Sequence, residues 1–354
     1  MAGSEPFPSP KILLAKPGIV TGAPVAGKFG RGGTGDDDSV QHRSRLPSVA
    51  SLNLLSDSWD FHIDRFLPFL TENTDFTVIG VIGPPGVGKS TIMNELYGFD
   101  SSSPGMLPPF ALQSEETRAM ARHCSTGVEP RISTERIILL DTQPVFSASV
   151  LAEMMRPDGS STISVLGGET MPAELAHELM GIQLAVLLAS ICHIVLVVSE
   201  GVRDDSMWQL MLTIDLLKHG ISDPSLMASS LSQSSNSVLE KDRHLEHEEY
   251  VATPVFVHTK LQDQDFTPNN FVQLKKALMQ YFRPSSFVRQ HVGNKPEEHA
   301  LSSTILSMKS PSFTRSVSER EWLKNSAKIW EQVKNSPTIL EYCRTLQHSG
   351  MYRR

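Results

Sequence analysis

The sequence predicts an α/β protein with a doubly wound, mainly parallel β-sheet and helices on both of its faces. Short apolar runs typical of buried strands alternate with longer segments of helical periodicity. This alternation is typical of parallel strands that are connected through helices. The strand-like runs lie at 77–82, 136–141, 194–198 and 254–258. Ligands of such sheets bind at the carboxyl ends of the strands, which is where we expect the functional residues.

A glycine-rich loop follows the first of these runs directly. Residues 83–90 have the spacing G-x-x-x-x-G-K-S, and a helical segment comes next. Glycines allow backbone conformations that a Cβ would forbid, so successive N–H groups can point at phosphate oxygens beside the positive end of the following helix. The sequence therefore predicts a P-loop and the fold class of the P-loop NTPases.

The loop residues have expected roles in holding a nucleoside di- or triphosphate with Mg²⁺. Lys89 would bring its charge to the β- and γ-phosphates, and the Ser90 hydroxyl would occupy one position on an octahedral Mg²⁺. Asp141 ends the second strand-like run and would hold the same ion through a water; the alternative is an aspartate that only caps a turn. The predicted nucleotide-binding residues are Gly83, Gly86, Val87, Gly88, Lys89, Ser90, Thr91 and Lys260, and the predicted Mg²⁺ ligands are Ser90 and Asp141.

The residues that support hydrolysis in small GTPases are replaced here. Those proteins carry D-x-x-G-Q, in which the glycine N–H meets the γ-phosphate and the glutamine orients the attacking water. Pro144 and Val145 stand at those positions, and proline has no N–H while valine cannot position a water. Gln143 could substitute only if the backbone were reshaped. The sequence therefore predicts a nucleotide binder with weak or absent hydrolysis rather than an enzyme.

Base specificity and the switch hydroxyl stay open. G-domains read guanine through N-K-x-D, and the matching passage at 259–262 reads Thr-Lys-Leu-Gln, which keeps Lys260 but lacks the carboxylate that accepts two hydrogen bonds from the base. A preference for guanine over adenine therefore does not follow. Either Ser125 or Thr126 is expected to supply the hydroxyl that senses Mg²⁺ and the γ-phosphate.

Composition and charge exclude other classes of protein. The chain has 354 residues with a formal net charge of -7, so no basic surface for direct nucleic-acid binding is expected. Its three cysteines are widely spaced and form no C-x-x-C pair, which indicates free thiols in a reducing, cytoplasmic compartment. Prolines interrupt the N-terminus, so no signal peptide is expected.

The run 179–198 is almost entirely apolar and about as long as a membrane span requires. Its composition changes midway, from residues typical of a helix over 174–192 to β-branched residues typical of a central strand. The sequence therefore predicts a helix followed by a buried strand, with no membrane span.

Shifts in composition predict the organisation of the chain. Within a Gly-, Pro- and Ser-rich arm, 10–17 is an apolar island that is either a docking peptide or a chance cluster. The predicted parts are a disordered arm at 1–46, the nucleotide-binding domain at 47–285 with a mobile insertion at 229–249, an irregular linker at 286–317 and a C-terminal helical extension at 318–354.

Apolar spacing predicts several helices. One covers 49–70, others cover 205–217 and 271–282, and the passage 98–131 between them is predicted to be irregular. Ser318 and Glu321 have the capping-box spacing and open a helix whose stripe carries Trp322 and Trp330. We expect this stripe to pack on its own domain rather than to form a partner surface.

Three passages together resemble a known family, and the first is 77–91. The second is 134–144, which reads Thr-Glu-Arg-Ile-Ile-Leu-Leu-Asp-Thr-Gln-Pro and has 124–128 upstream. The third combines Lys-Ile-Trp at 328–330 with Leu-Glu-Tyr at 340–342. They resemble the G-domain-like nonsense-mediated mRNA decay factors of the SMG kinase complex, the family of the ninth SMG protein. The resemblance implies a regulatory subunit that pairs with a second G-domain-like SMG subunit, the eighth. The pair would bind and restrain the SMG phosphoinositide-3-kinase-like kinase, which acts on the up-frameshift helicase.

Two other functions are weighed against this one. An active NTPase switch could receive its missing groups from a partner in trans, since an arginine supplied in this way raises turnover by roughly 10³ to 10⁵. A nucleotide kinase is the weaker alternative, because no Arg-rich lid follows the loop and no paired acceptor site is evident.

Overall fold

The computed structural model describes residues 52–56, 59–100, 107–155, 171–225, 227, 250–289 and 317–349. Several sequence predictions lie outside the described residues. These are the arm at 1–46 with its apolar island at 10–17, the insertion at 229–249 and residues 290–316 of the linker.

The described residues form strands and helices that alternate along most of the chain. The strands are β1 (Thr77–Ile82), β2 (Val128–Ile132), β3 (Ile137–Thr142), β4 (Ile194–Glu200) and β5 (Thr253–Thr259). The helices are α1 (Lys89–Tyr97), α2 (Glu115–Ala119), α3 (Ala148–Met154), α4 (Ala173–Ile191), α5 (Asp205–Leu217), α6 (Pro268–Tyr281), α7 (Ser286–Arg289), α8 (Glu319–Lys334) and α9 (Pro337–His348). Single 3₁₀ turns lie at Leu67–Phe69 and Asp263–Phe266.

In the described part of the chain the sheet has five strands in the order β2-β3-β1-β4-β5. β1 pairs in parallel with β3 and with β4, and β4 pairs in parallel with β5. The prediction of an α/β fold with a mainly parallel sheet is therefore confirmed. The chain leaves β1 toward one edge of the sheet and later returns to the other side of β1. The carboxyl end of β1 is thus the switch point at which sheets of this kind bind ligands.

The sequence did not predict the edge strand β2, which pairs antiparallel with β3. The prediction that 98–131 is irregular is wrong for the part that forms α2 and the first residues of β2. β2 contains Pro130, which lowers its strand propensity, and an edge strand tolerates proline because one side of its backbone needs no sheet partner. Pairing with β3, which local pattern does not report, stabilises this strand.

The predicted helix over 49–70 is wrong. The described parts of this segment, 52–56 and 59–70, form an irregular crossing that we call the N-terminal strap. Leu55 forms isolated bridges to Phe61 and Val128, and Trp59 has a left-handed φ of 63°. Several of its apolar residues are buried in the main core: Leu54, Leu55, Trp59, Phe66 and Leu70. Pro68 inside the segment is itself unfavourable for a continuous helix.

The apolar run divides into α4 and β4, as predicted. α4 is, among the described residues, the one helix that is long and apolar enough to cross a membrane by length and composition, yet 78% of its apolar window is buried inside the fold. It packs against α5 and α8. Burial on several sides explains its apolar composition.

The C-terminal helix α8 belongs to the same apolar core. Ser318 and Glu321 form the predicted capping box at its start. Trp322 and Trp330 are fully buried; the Trp322 indole donates to the Ile191 carbonyl at 2.8 Å. The prediction that the tryptophan stripe packs on its own domain is confirmed, and these two side chains are not available to a partner.

An ion pair attaches the start of α8 to the loops that precede β1 and β3. The Glu319 side chain is completely buried, and it accepts hydrogen bonds from the Arg136 guanidinium and, at 2.7 Å, from the Thr71 amide. Arg136 is about one-third exposed. The buried carboxylate therefore depends on Arg136 for its balancing charge.

Arg136→Ala is expected to lower the free energy of unfolding by about 3 kcal/mol, because it leaves the Glu319 carboxylate buried without its cation. Urea denaturation of the two proteins measures the difference. Arg203→Ala is the control: Arg203 also pairs with an acid, Asp205, at 2.8 Å, but both side chains are exposed, so little change is expected. Equal losses in the two variants would contradict the role assigned to the buried pair.

Candidate functional site

The glycine-rich loop connects β1 to α1 at the carboxyl edge of the sheet. Gly86 and Gly88 have left-handed φ values of 74° and 90°, which favour glycine. A Cβ on Gly83 would lie 2.2 Å from the Val198 carbonyl oxygen, so the backbone approaches β4 too closely for any other residue. Two of the glycines are therefore explained by a left-handed backbone and the third by its close approach to β4.

Lys89 lies beneath the loop. Its ammonium donates to the carbonyls of Gly83 and Pro84, each at 3.0 Å, and only 7% of the residue is exposed. Burial lowers the pKa of Lys89 from 10.5 to about 8, against an opposing effect of the Asp141 carboxylate. A cation held in this way is positioned for anionic oxygens that enter the loop.

Two serine hydroxyls converge on Asp141. Ser90 and Ser125 donate to its Oδ2 at 2.7 Å and 2.8 Å, and the two hydroxyl oxygens lie 3.3 Å apart. Burial raises the pKa of Asp141, while the hydrogen bonds from both serines and the charge of Lys89 oppose the increase. The structure thus brings together the two predicted Mg²⁺ ligands, Ser90 and Asp141.

Of the two candidates for the switch hydroxyl, Ser125 occupies this cluster. The Thr126 hydroxyl instead accepts a hydrogen bond from the Asn53 carboxamide at 3.0 Å. Adjacent residues direct their side chains to different neighbours, so a motif alone could not distinguish them. The structure favours Ser125.

The cluster fits a hard cation. Asp141 Oδ1 is buried and has no hydrogen-bond partner within the described structure, and the hydroxyls of Ser90 and Ser125 are oxygen donors of the kind that Mg²⁺ takes. The described residues contain no group of three or more His, Cys, Asp or Glu side chains that could hold a metal. A cation at this site would therefore need further oxygens from water or from phosphate groups.

A cleft of about 310 Å³ opens above the loop. Gly86, Gly88, Lys89, Ser90 and Thr91 contribute one wall, whereas Val87 is 2% exposed and packs into the core beneath. The lining also includes residues that sequence reasoning did not assign to the site. These are Leu112, Arg118, His123 and Cys124, all from the passage that was predicted to be irregular, where no local pattern marks a binding residue.

Gln143 and Val145, which follow Asp141, are directed into the fold. Gln143 is 8% exposed, and its carboxamide oxygen accepts from the Gly127 amide at 3.0 Å. Val145 is buried, and its amide donates to the Gly83 carbonyl at 3.2 Å. Pro144 lines the cleft. This arrangement provides neither the backbone N–H nor the water-orienting side chain found in small GTPases.

Lys260 lies at the same edge of the sheet but does not line the cleft. The preceding residue, Thr259, donates to the Val87 carbonyl at 3.0 Å and so contacts the back of the loop. The Lys260 ammonium pairs with the Glu200 carboxylate at 2.7 Å, with both side chains more than half exposed. Lys260 is therefore close to the loop because Thr259 contacts it, whereas the Lys260 ammonium itself pairs with Glu200.

The fold and site define a class: α/β proteins in which a glycine-rich loop, a buried lysine and a serine–aspartate cluster meet at the carboxyl edge of a mainly parallel sheet. No protein-family model matches the chain. Curated relatives named nonsense-mediated mRNA decay factor SMG9 do match it. The Xenopus laevis protein is 28% identical over 80% of this chain and 64% of its own length. The Salmo salar protein is 30% identical over 64% of this chain and 42% of its own length, and the Caenorhabditis elegans protein is 30% identical over 46% and 39%.

The resemblance drawn from the motifs is confirmed, because relatives named nonsense-mediated mRNA decay factor SMG9 match most of the chain at 27–28% identity. The chain spans about 64% of the length of the Xenopus relatives that it matches.

The lowered pKa of Lys89 predicts a pH effect on stability. Between the folded pKa of about 8 and the unfolded value of 10.5, the unfolded chain binds more protons at this residue, so the free energy of unfolding rises with pH. Lys89→Met removes this contribution. In urea denaturation without nucleotide or Mg²⁺, wild-type stability is expected to increase relative to the variant across that window. A difference that is independent of pH would mean that Lys89 keeps its ordinary pKa.

Proposed function

We propose that this protein is a nucleotide-binding regulatory subunit of the nonsense-mediated mRNA decay machinery, with a G-domain-like P-loop fold. One observation carries the nucleotide part of the proposal. The buried Lys89 and the Ser90–Ser125–Asp141 cluster lie together at the switch point of the sheet, and the cluster contains the unpartnered Asp141 Oδ1. The names of the relatives support the pathway.

The proposed ligand is a nucleoside di- or triphosphate with Mg²⁺. Backbone amides of the loop and the Lys89 ammonium would hold the β- and γ-phosphates. Ser90, with Ser125 and Asp141 behind it, would hold the ion, directly or through water. The bound ion would neutralise phosphate charge. Either an adenine or a guanine base is compatible with the residues at 259–262.

Weak or absent hydrolysis follows from the residues beyond Asp141. Pro144 has no amide proton for the γ-phosphate, and the Gln143 carboxamide oxygen is engaged by Gly127. Without a group that orients water, the nucleotide would act as a bound structural or regulatory ligand. The protein is then a nucleotide binder rather than an enzyme.

The proposed partners are those that the family resemblance implies. This subunit would form a heterodimer with a second G-domain-like SMG subunit, and the pair would regulate the SMG phosphoinositide-3-kinase-like kinase in the cytoplasm. The net charge of -7 supports protein partners over direct contact with RNA. Because Trp322 and Trp330 are buried, the surface that pairs must use other residues.

Lys89→Ala is expected to weaken nucleotide binding by about 30-fold or more, because a charge-assisted contact to the phosphates is lost. Binding of fluorescent ATP and GTP analogues to purified protein with Mg²⁺ measures the loss, and analysis of nucleotide released from fresh protein identifies the base. Lys276→Ala, which changes an exposed lysine on α6, is the control and should bind as wild type does.

Turnover of the bound nucleotide separates the proposal from its alternative. Hydrolysis should remain negligible with the protein alone and after addition of the heterodimer partner. Turnover that the partner raises by roughly 10³-fold or more would favour the working switch completed in trans. Absence of any bound or binding nucleotide would refute the nucleotide part of the proposal.

Recovery of partners tests the regulatory part. A pull-down from native extract with the full chain as bait is expected to recover both the second G-domain-like subunit and the kinase. The Lys89→Ala variant used as a parallel bait shows whether loop occupancy alters recovery. If neither partner is recovered by the wild-type chain, the assignment to the kinase complex fails even where nucleotide binding stands.

A further inference from the structure

The N-terminal strap lies directly against the loop that carries Ser125. The Leu54 amide donates to the Val128 carbonyl at 2.7 Å, at the start of β2. A Cβ on Gly127 would lie 1.9 Å from the Leu55 carbonyl oxygen. Glycine at 127, with its left-handed φ of 56°, is what permits this approach. The two backbones therefore meet two to three residues along the chain from Ser125, which belongs to the Asp141 cluster.

One side chain connects the strap to this loop. The Asn53 carboxamide nitrogen donates to the Thr126 hydroxyl at 3.0 Å and lies 3.2 Å from the Thr126 carbonyl oxygen. Asn53 is 8% exposed. A buried carboxamide that satisfies both oxygens of one residue restricts the rotation of that residue, because moving it would leave polar groups unpaired.

The opposite side of the loop is also held. The Gly127 amide donates to the Gln143 side chain at 3.0 Å, and the Gln143 amide donates to the Gly127 carbonyl at 2.9 Å. Residues 126 and 127 are thus fixed from the strap and from the end of β3. Ser125, the residue immediately before them, can then direct its hydroxyl to Asp141 at 2.8 Å without further ordering.

The strap itself is anchored in the core. The Trp330 indole of α8 donates to the Trp59 carbonyl at 3.1 Å, and the two rings make an edge contact with centroids 5.6 Å apart. The Trp59 indole donates to the Gln183 carboxamide of α4 at 3.1 Å. Both tryptophans are buried. The strap is therefore fixed to the core, and a change in its packing on α8 would change the position of residue 126.

We infer that Asn53 is a positioning residue for the metal site: through Thr126 it holds the Ser125 hydroxyl on Asp141, so the strap sets the Mg²⁺-dependent part of nucleotide affinity. This inference rests on the proposed nucleotide and Mg²⁺ binding and adds the regulation of that site. Asn53 touches neither the proposed nucleotide nor the ion. Replacing Asn53 is therefore expected to weaken nucleotide binding when Mg²⁺ is present and to have no effect on binding when Mg²⁺ is removed.

The test compares four variants of the full chain. Asn53→Ala removes the donor, and Thr126→Val removes the hydroxyl that receives it. Thr126→Ser restores that hydroxyl. Asp64→Ala changes an exposed residue of the same strap and is the matched control. Thermal unfolding of each protein establishes that it is folded. If Asn53→Ala does not fold, the comparison of Thr126→Val with Thr126→Ser still tests the inference.

Affinity for fluorescent GTP and ATP analogues is measured with Mg²⁺ and again with EDTA. Asn53→Ala and Thr126→Val are expected to bind about 10-fold more weakly than wild type with Mg²⁺, the loss typical of residues that orient metal ligands. They should bind as wild type does in EDTA. Thr126→Ser and Asp64→Ala should match wild type in both conditions. A loss of equal size with and without Mg²⁺ would mean a general structural role and would overturn the inference.

Hydrogen exchange without ligand gives a second readout. The amides of Gly127 and Gln143 are expected to exchange about 5- to 30-fold faster in Asn53→Ala, as the loss of one buried hydrogen bond predicts. If wild type binds neither analogue, the proposed function fails and the inference with it. If wild type binds and Asn53→Ala shows unchanged Mg²⁺ dependence and unchanged exchange, the inference alone fails.

Discussion

Lys89 and Asp141 are both buried where β1 and β3 end, and the groups around them reduce the free-energy cost of burying two charges. Desolvation acts on both charges, lowering the pKa of Lys89 and raising that of Asp141. Loop carbonyls accept from the lysine, and two serine hydroxyls donate to one oxygen of the aspartate. The other carboxylate oxygen stays unpartnered in the described structure. The site therefore pays a desolvation cost that its own groups offset only in part.

The C-terminal helix supports this edge from a distance. α8 covers α4, the most apolar helix of the described chain, and the Trp322 indole satisfies the last carbonyl of that helix. Glu319 joins its first turn to the loops before β1 and β3. Trp330 holds the strap at Trp59. One helix thus contacts both the loops that precede β1 and β3 and the strap that contacts the loop of Ser125.

The sequence predicted what local pattern determines. The glycine spacing, the apolar strands and the capping box at Ser318 are each formed by neighbours in the chain, and all are present in the structure. β2 and the strap depend on pairing between residues far apart, such as Leu55 with Val128, so periodicity misassigned them. The choice between Ser125 and Thr126 was open for the same reason. Thr126 bonds to Asn53, which is 73 residues away in the chain, and Ser125 bonds to Asp141, which is 16 residues away.

The intact loop and the altered residues after Asp141 make sense together if the nucleotide is retained rather than consumed. A ligand at 100 times its dissociation constant stabilises a protein by about 2.7 kcal/mol, and here it would also complete the partly satisfied charges of Lys89 and Asp141. Hydrolysis would shorten the time for which the intact nucleotide provides that stabilisation. In the proposed function, Pro144 and the engaged carboxamide of Gln143 would disfavour hydrolysis and leave the loop unchanged. Because the strap fixes Ser125 through Asn53, occupancy of the site and the packing of α8 would then be coupled through contacts that the structure already contains.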